Sequence, residues 1–163
     1  MYSLRITGLL ILILSGTACN NLATKPDQEP TDLKDVATTQ QRAKLAYDAG
    51  NWVNAEMHYL KLTRLVPGDA EPWFRLGNIY TRLNRPDDAI RAYQESIVRN
   101  PKNTKTWHNL GIVQLRQATN TFVQLQQYSD PGDPLNQRAG FVVNAMSQIM
   151  EKGFGVSGDE TEQ

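Results

Sequence analysis

The sequence predicts an all-α chain of about three stacked helical hairpins closed by a C-terminal capping helix, and three observations predict it. Residue types recur at a spacing of 34: Trp73-x2-Leu76-Gly77 returns as Trp107-x2-Leu110-Gly111, and Ala55, Tyr59 and Pro67 return as Ala89, Tyr93 and Pro101. A period of this length marks a supersecondary unit that buries its apolar face only by stacking on its neighbours. Within a unit, Trp73, Leu76 and Tyr80 fall at i, i+3 and i+7, which is one stripe of a helix. Turn residues then punctuate the chain at matching places, Gly50-Asn51 with Asn84-Arg85-Pro86 and Val66-Pro67-Gly68-Asp69 with Asn100-Pro101.

The first segment is of another kind. Residues 1–18 carry Arg5, an apolar run from Gly8 to Leu14 and then Ser15-Gly16-Thr17-Ala18. That run is too short to cross about 30 Å of hydrocarbon as a helix, so 1–18 reads as a cleaved secretory signal. Cys19 follows directly and is the only cysteine. Residues 20–31 contain Pro26 and Pro30 and no apolar periodicity, so 19–31 is expected to be a tether. A flexible chain of that length reaches about 20 Å.

The helical domain is expected over 32–152. Its helices are predicted at about 32–49, 52–65, 70–83, 87–99 and 104–127, followed by a final helix over 135–151. Gly77 and Gly111 sit inside the apolar stripes, where a missing side chain lets the neighbouring helix approach. A mid-helix Gly costs about 1 kcal/mol against Ala, and burying one Leu or aromatic ring returns roughly 1.5–3 kcal/mol. Packing wins, so both glycines are expected inside. The fifth helix is long because nothing near Ala118–Thr121 stops it as firmly as Gly or Pro would; a separate short helix after Asn120 is the alternative. Asp130-Pro131-Gly132-Asp133-Pro134 is a turn. Leu135, Ala139, Val142, Val143, Met146, Ile149 and Met150 mark one face of the last helix, which would cover the open end of the stack. Residues 153–163 end in Asp159, Glu160 and Glu162 and read as an acidic, disordered tail.

Chemistry is sparse. The chain has 17 basic and 17 acidic residues, and removal of Arg5 with the signal leaves 16 against 17. This balance gives no nucleic-acid footprint. His58 and His108 are isolated from other ligand types, so no metal is expected. Asp87-Asp88 falls in a first helical turn, where negative charge suits the dipole rather than catalysis. There is no glycine-rich phosphate loop and no G-x-S-x-G elbow. No catalytic residue and no cofactor is therefore expected, and the chain reads as a non-enzyme.

Trp73, Leu76, Gly77, Tyr80, Ala89, Tyr93 and Pro101 together resemble the tetratricopeptide repeat (TPR) pattern, W-x2-L-G-x2-Y followed by Ala, an aromatic and Pro. The unit before it keeps Ala55, Tyr59 and Pro67 but has Arg42 and Ala43 where the pattern has Leu and Gly; the unit after it keeps only Trp107, Leu110 and Gly111. The resemblance covers about residues 36–127 and implies a right-handed TPR superhelix with a concave groove for a peptide or partner helix. On the side of the first helices opposite the Trp-Leu-Tyr stripe stand Lys44, Tyr47, Phe74, Arg75, Asn78, Arg82, Lys105, His108, Ile112 and Arg116, with Asn109 and Leu115 beside them. The resemblance makes the ten a partner-binding groove, and their mixture suits a segment with acidic groups and an apolar anchor. The clamp of chaperone-binding TPRs is matched only at Asn78 and Lys105.

Thr17-Ala18-Cys19 likewise resembles the lipobox of bacterial lipoproteins, with Gly16 where that family has Leu. The resemblance implies acylation of Cys19, palmitate among the chains, and two or more chains anchor stably where one is marginal. Asn20, instead of the Asp of an inner-membrane retention signal, favours the outer membrane; an ordinary cleavage after Ala18, leaving a soluble periplasmic product, is the alternative. Small TPR lipoproteins of this sort resemble pilotins, the assembly factors of type IV and tight-adherence pili and of secretins. The expected role is an assembly scaffold for such an envelope machine; the alternatives are a scaffold for peptidoglycan or polysaccharide machinery, or a self-associating structural protein.

Overall fold

A computed structural model describes residues 33–153. The expected signal, Cys19, the tether and the acidic tail after Gly153 lie outside these residues. Six helices follow one another: α1 (Leu33–Asp48), α2 (Trp52–Leu65), α3 (Glu71–Arg82), α4 (Pro86–Arg99), α5 (Thr104–Tyr128) and α6 (Pro134–Gly153). No strand occurs among the described residues. Sequence neighbours pack as hairpins, α1 with α2, α3 with α4 and α5 with α6, and the hairpins stack through α2 on α3 and α4 on α5. The described chain is an all-α stack of three hairpins.

The turn chemistry explains both the hairpins and the long α5. Just past the end of α1 stands Gly50 with φ 68°, and just past the end of α3 stands Asn84 with φ 54°. These left-handed positions let the chain reverse, with Asn51 N–H donating to Ala46 O at 2.9 Å and Arg85 N–H to Tyr80 O at 2.9 Å. Gly50 and Asn84 are 34 residues apart, and the next position in the series is Ala118. An alanine pays a steric penalty in the left-handed region, so α5 continues through Ala118 to Tyr128. Its start is fixed by Asn103, whose Oδ1 accepts from the Lys105 and Thr106 amides at 3.1 and 3.4 Å.

The core lies in the first two hairpins and the start of α5. Ala43, Ala55, Leu62, Leu76, Ile79, Ala89 and Tyr93 are almost wholly buried, and Leu110 and Val113 join them from α5. Gly77 is the tightest point: a β-carbon there would stand 2.3 Å from Tyr93 Cε1. The glycine exists so that the Tyr93 ring can lie against the α3 backbone, and the ring returns roughly 1.5–3 kcal/mol of burial.

The third hairpin departs from the expectation at two positions. Trp107 is 52% exposed, and a β-carbon on Gly111 would meet nothing within 4 Å. Both were expected inside. α6 packs only on α5, and the register set by Asn136 Nδ2 on Gln126 O (3.0 Å) brings it back only as far as Met150, which borders Val113 and Arg116. Trp107 and Gly111 lie toward the start of α5 and receive no second helix. On α6, Ala139, Val142, Val143, Met146 and Met150 are covered, whereas Leu135 and Ile149, expected on the same face, are exposed.

Candidate peptide-binding groove

The first helices of the three hairpins, α1, α3 and α5, present one series of side chains along the stack. Between α1 and α3 lies a cleft of about 210 Å³ with Lys44 and Tyr47 on one wall, Glu71 and Arg75 on the other and Tyr59 and Leu62 as its floor. Arg75 is held in place twice. Its Nε donates to Glu71 Oε1 at 2.6 Å, and its guanidinium stands 5.0 Å from the centre of the Tyr47 ring and 5.9 Å from that of Phe74. Burial works against its charge, but the hydrogen bond and the negative charge of Glu71 outweigh burial and hold the guanidinium above its ordinary pKa. Tyr47 meets Trp52 edge-on at 5.5 Å and Tyr59 at 6.2 Å, so the aromatic wall is rigid.

Farther along, α3, α4 and α5 are joined by a polar seam. Asn78 Oδ1 accepts from Tyr93 Oη at 2.8 Å and from Asn109 Nδ2 at 2.9 Å. Thr81 Oγ1 lies 3.3 Å from the same tyrosine oxygen while donating to Gly77 O at 2.8 Å. Burial pushes the Tyr93 hydroxyl up to about 12, against the opposing pull of its Thr81 and Asn109 bonds, so it stays a donor. With the Asn78 oxygen saturated, the amide is locked. Its Nδ2 donates to no described residue, and the Asn109 oxygen accepts from none. Both asparagines are half-buried. They present a donor and an acceptor side by side, the pattern that one peptide unit of an extended chain satisfies. Beyond the seam, a second pocket of about 170 Å³ is bordered by Thr81, Asn84, Val113, Arg116 and Met150.

The ten residues singled out in the sequence divide accordingly. Lys44, Tyr47 and Arg75 meet in the first cleft, Asn78 anchors the seam, and Arg116 borders the second pocket. Lys105 and His108 are exposed on α5, with Ile112 half-buried beside them. Arg82 stands 5.1 Å over the Trp52 ring, at the α1–α2 turn, and does not border the cleft. Phe74 corrects the expectation: it is 9% exposed and packs against Tyr93 with ring centres 6.3 Å apart. The stripe facing α4 is wider than Trp-Leu-Tyr alone, and Phe74 belongs to its edge. Tyr59 and Tyr93 are the groove residues that the site reading missed, whereas Asn109, set beside the ten in the sequence, takes its place in the seam. The Ala-x3-Tyr spacing marks Tyr59 and Tyr93 as core, and only the need of a buried hydroxyl for a partner hinted at more. Among the described residues no group of three or more His, Cys, Asp or Glu could hold a metal ion, and no helix is long and apolar enough to cross a membrane.

Residues 70–103 match the family model for the tetratricopeptide repeat. The matched stretch is α3 and α4, the hairpin whose Gly77–Tyr93 contact is closed. Over 52 residues the chain is 35% identical to the TPR repeat-containing protein BH2049 of Halalkalibacterium halodurans, a stretch that makes up 32% of this chain and 23% of that relative. The chain thus spans under a quarter of the relative's length. Among solved structures it is similar to the first TPR of Spaghetti (RPAP3) bound to the HSP90 peptide SRMEEVD, at 16% identity and a TM-score of 0.49, over 72% of this chain and 96% of that one. It is similar as well to the Arabidopsis OM64 TPR domain, at 15% identity and a TM-score of 0.49, over 71% and 96%.

Proposed function

We propose that the chain is a non-enzymatic TPR scaffold that holds an extended segment of a cell-envelope protein along α1, α3 and α5. The observation that carries this reading is the locked Asn78–Asn109 pair. An amide whose oxygen is already bonded twice has only its N–H groups left to offer, and main-chain carbonyls of a strand-like peptide are what such a donor recognises. The Tyr47–Arg75 cleft on one side and the Arg116 pocket on the other then take neighbouring side chains of the ligand.

The address comes from the sequence. With Cys19 acylated, residues 19–31 hold the helical domain (32–152) close to the periplasmic face of the outer membrane, and the client is a component of a type IV or tight-adherence pilus or of its secretin. Three experiments test this. A photoreactive residue at Lys105 in cells captures the client in the full chain, and deletion of the gene depletes secretin multimers from the outer membrane. Unchanged multimers rule out the secretin client; a Cys19→Ala chain that stays in the membrane fraction rules out the lipid anchor.

A further inference from the structure

A side-chain amide has a donor end and an acceptor end of nearly the same size. Packing alone does not decide which end faces a groove; the hydrogen-bond partners decide it. At Asn78 the deciding partner comes from the core. Tyr93, 1% exposed, lies against α3 where Gly77 leaves room for its ring, and this contact delivers its hydroxyl to the Asn78 amide.

A hydroxyl both donates and accepts, so the place of its one proton matters. Two acceptors compete for the Tyr93 proton. Thr81 Oγ1 stands 3.3 Å from Tyr93 Oη, and because it gives its own proton to Gly77 O at 2.8 Å, it can only accept from the tyrosine. Asn78 Oδ1 stands at 2.8 Å, the usual O–H···O length, whereas 3.3 Å lies beyond the range of a good bond. The proton goes to Asn78. An amide that takes it on the oxygen has its N–H groups turned outward. Asn109 Nδ2 donates to the same oxygen at 2.9 Å, which leaves the Asn109 oxygen outward in turn. Had the proton gone to Thr81, the Asn78 amide could sit reversed with its N–H on the phenol oxygen, and both outward groups would change sign.

We propose that Tyr93 is a positioning residue of the groove: its hydroxyl orients Asn78 and, through Asn78, Asn109, so that α3 offers a donor and α5 an acceptor to the client's main chain. The inference rests on the reading of α1, α3 and α5 as a peptide groove and gives that groove a polarity. The device belongs to the middle hairpin. At the places 34 residues before Asn78, Asn109 and Tyr93 stand Lys44, Arg75 and Tyr59, so that tyrosine has no amide to turn. The places 34 residues after Asn78 and Tyr93 hold Ile112 and Gln127, which supply neither part. The main chain of the client is therefore read at one point of the stack, with the two clefts left for its side chains.

The test is Tyr93→Phe in the full chain, which keeps the ring on Gly77 and deletes only the hydroxyl. Hydrogen exchange of the side-chain amides, followed by NMR on the nitrogen-15-labelled chain without client, reads the orientation directly. In the parent, an Asn109 Nδ2 proton is protected by its bond to Asn78, and the Asn78 protons exchange freely. In Tyr93→Phe that protection falls about tenfold, and in cells the capture of client by a photoreactive residue at Lys105 falls about tenfold as well. Tyr80→Phe, which deletes a buried hydroxyl paired with Glu56 away from the seam, changes neither. Protected Asn78 protons beside free Asn109 protons in the parent mean the reversed network and overturn the proposal, whether or not the variant folds. So does an Asn109 proton that stays protected in Tyr93→Phe, or normal capture once the amides have turned. Amides that turn as expected in a chain whose parent captures nothing uphold the positioning and refute the peptide groove instead.

Discussion

Gly77 and Gly111 are one repeat apart, and the same substitution should act on them with opposite sign. Gly77→Ala places a carbon 2.3 Å from Cε1, 2.4 Å from Cδ1 and 2.8 Å from Cζ of Tyr93. That ring cannot yield easily: it is 1% exposed and its hydroxyl is bonded to Asn78. Overpacking of this kind costs about 1–3 kcal/mol, and displacing the ring forfeits a hydrogen bond worth about 1 kcal/mol. The helix propensity of Ala returns about 1 kcal/mol. The balance is a loss of about 1–3 kcal/mol. Gly111→Ala meets nothing within 4 Å, so only the propensity term acts within the protomer, a gain of about 1 kcal/mol. For a domain of this size, 1 kcal/mol moves Tm by about 3–5 °C. Thermal unfolding of the full chain followed by circular dichroism, at concentrations low enough to hold it monomeric, should therefore separate the two variants by about 6 °C or more, with the parent between them. Two variants that both fall by similar amounts would refute the reasoning, because Gly111 would then be packed like Gly77.

Three further outcomes follow from the same contacts. Asn78→Asp keeps an oxygen for Tyr93 and Asn109 but replaces the outward N–H donors with an acceptor; capture of the client should drop about tenfold or more while Tm moves by only a few degrees, and a variant that captures normally removes the asparagine from the groove. The Ser96 and Thr106 hydroxyls are buried without a partner among the described residues, so Ser96→Ala and Thr106→Val should each leave stability unchanged or raise it by about 1 kcal/mol in urea unfolding. Burial pushes Tyr59, Tyr80 and Tyr93 up to about 12, each against the pull of a nearby arginine or hydrogen-bond donor; since the folded state holds the proton more tightly, stability is full below the unfolded value near 10 and falls as pH rises from 10 to 12, and ultraviolet titration should show these three ionising only with unfolding.

The hairpins were legible because each depends on local chemistry that one sequence carries: a Trp-Leu-Tyr stripe, a reversing residue at Gly50 and Asn84, a proline at the start of α4. The long α5 was legible for the complementary reason, since Ala118 stands where a reversing residue would be needed. The exposure of Trp107 and Gly111 was not legible. Their signature is the same as that of Trp73 and Gly77, and what differs is the partner helix, whose register depends on how far α5 runs before it turns. Phe74 failed for a related reason. Its place on the helix wheel lies at the boundary between the groove and the α4 contact, and the width of that contact is set by the bulk of Tyr93, which comes from another element. The seam was half legible, because Asn78 stood out by position, but its bonds to Tyr93 and Asn109 join three helices and no spacing encodes them.

The two ends of the stack are not equivalent, and the difference bears on what kind of association is possible. Leu76 and Leu110, at matching places on α3 and α5, are both buried. The residue 34 earlier, at the corresponding place on α1, is Arg42, and it is exposed. A guanidinium there makes burial of the outer side of α1 against an apolar helix unfavourable, because an unpaired charge would lose its water. The first end of the stack thus carries a charge at this place, as edges that must not propagate commonly do. The last end is left apolar through Phe141 and Ile149. If both ends were apolar, copies could join head to tail without limit, and a heterologous contact that does not close makes fibres. With a guanidinium at the first end, that head-to-tail contact is disfavoured.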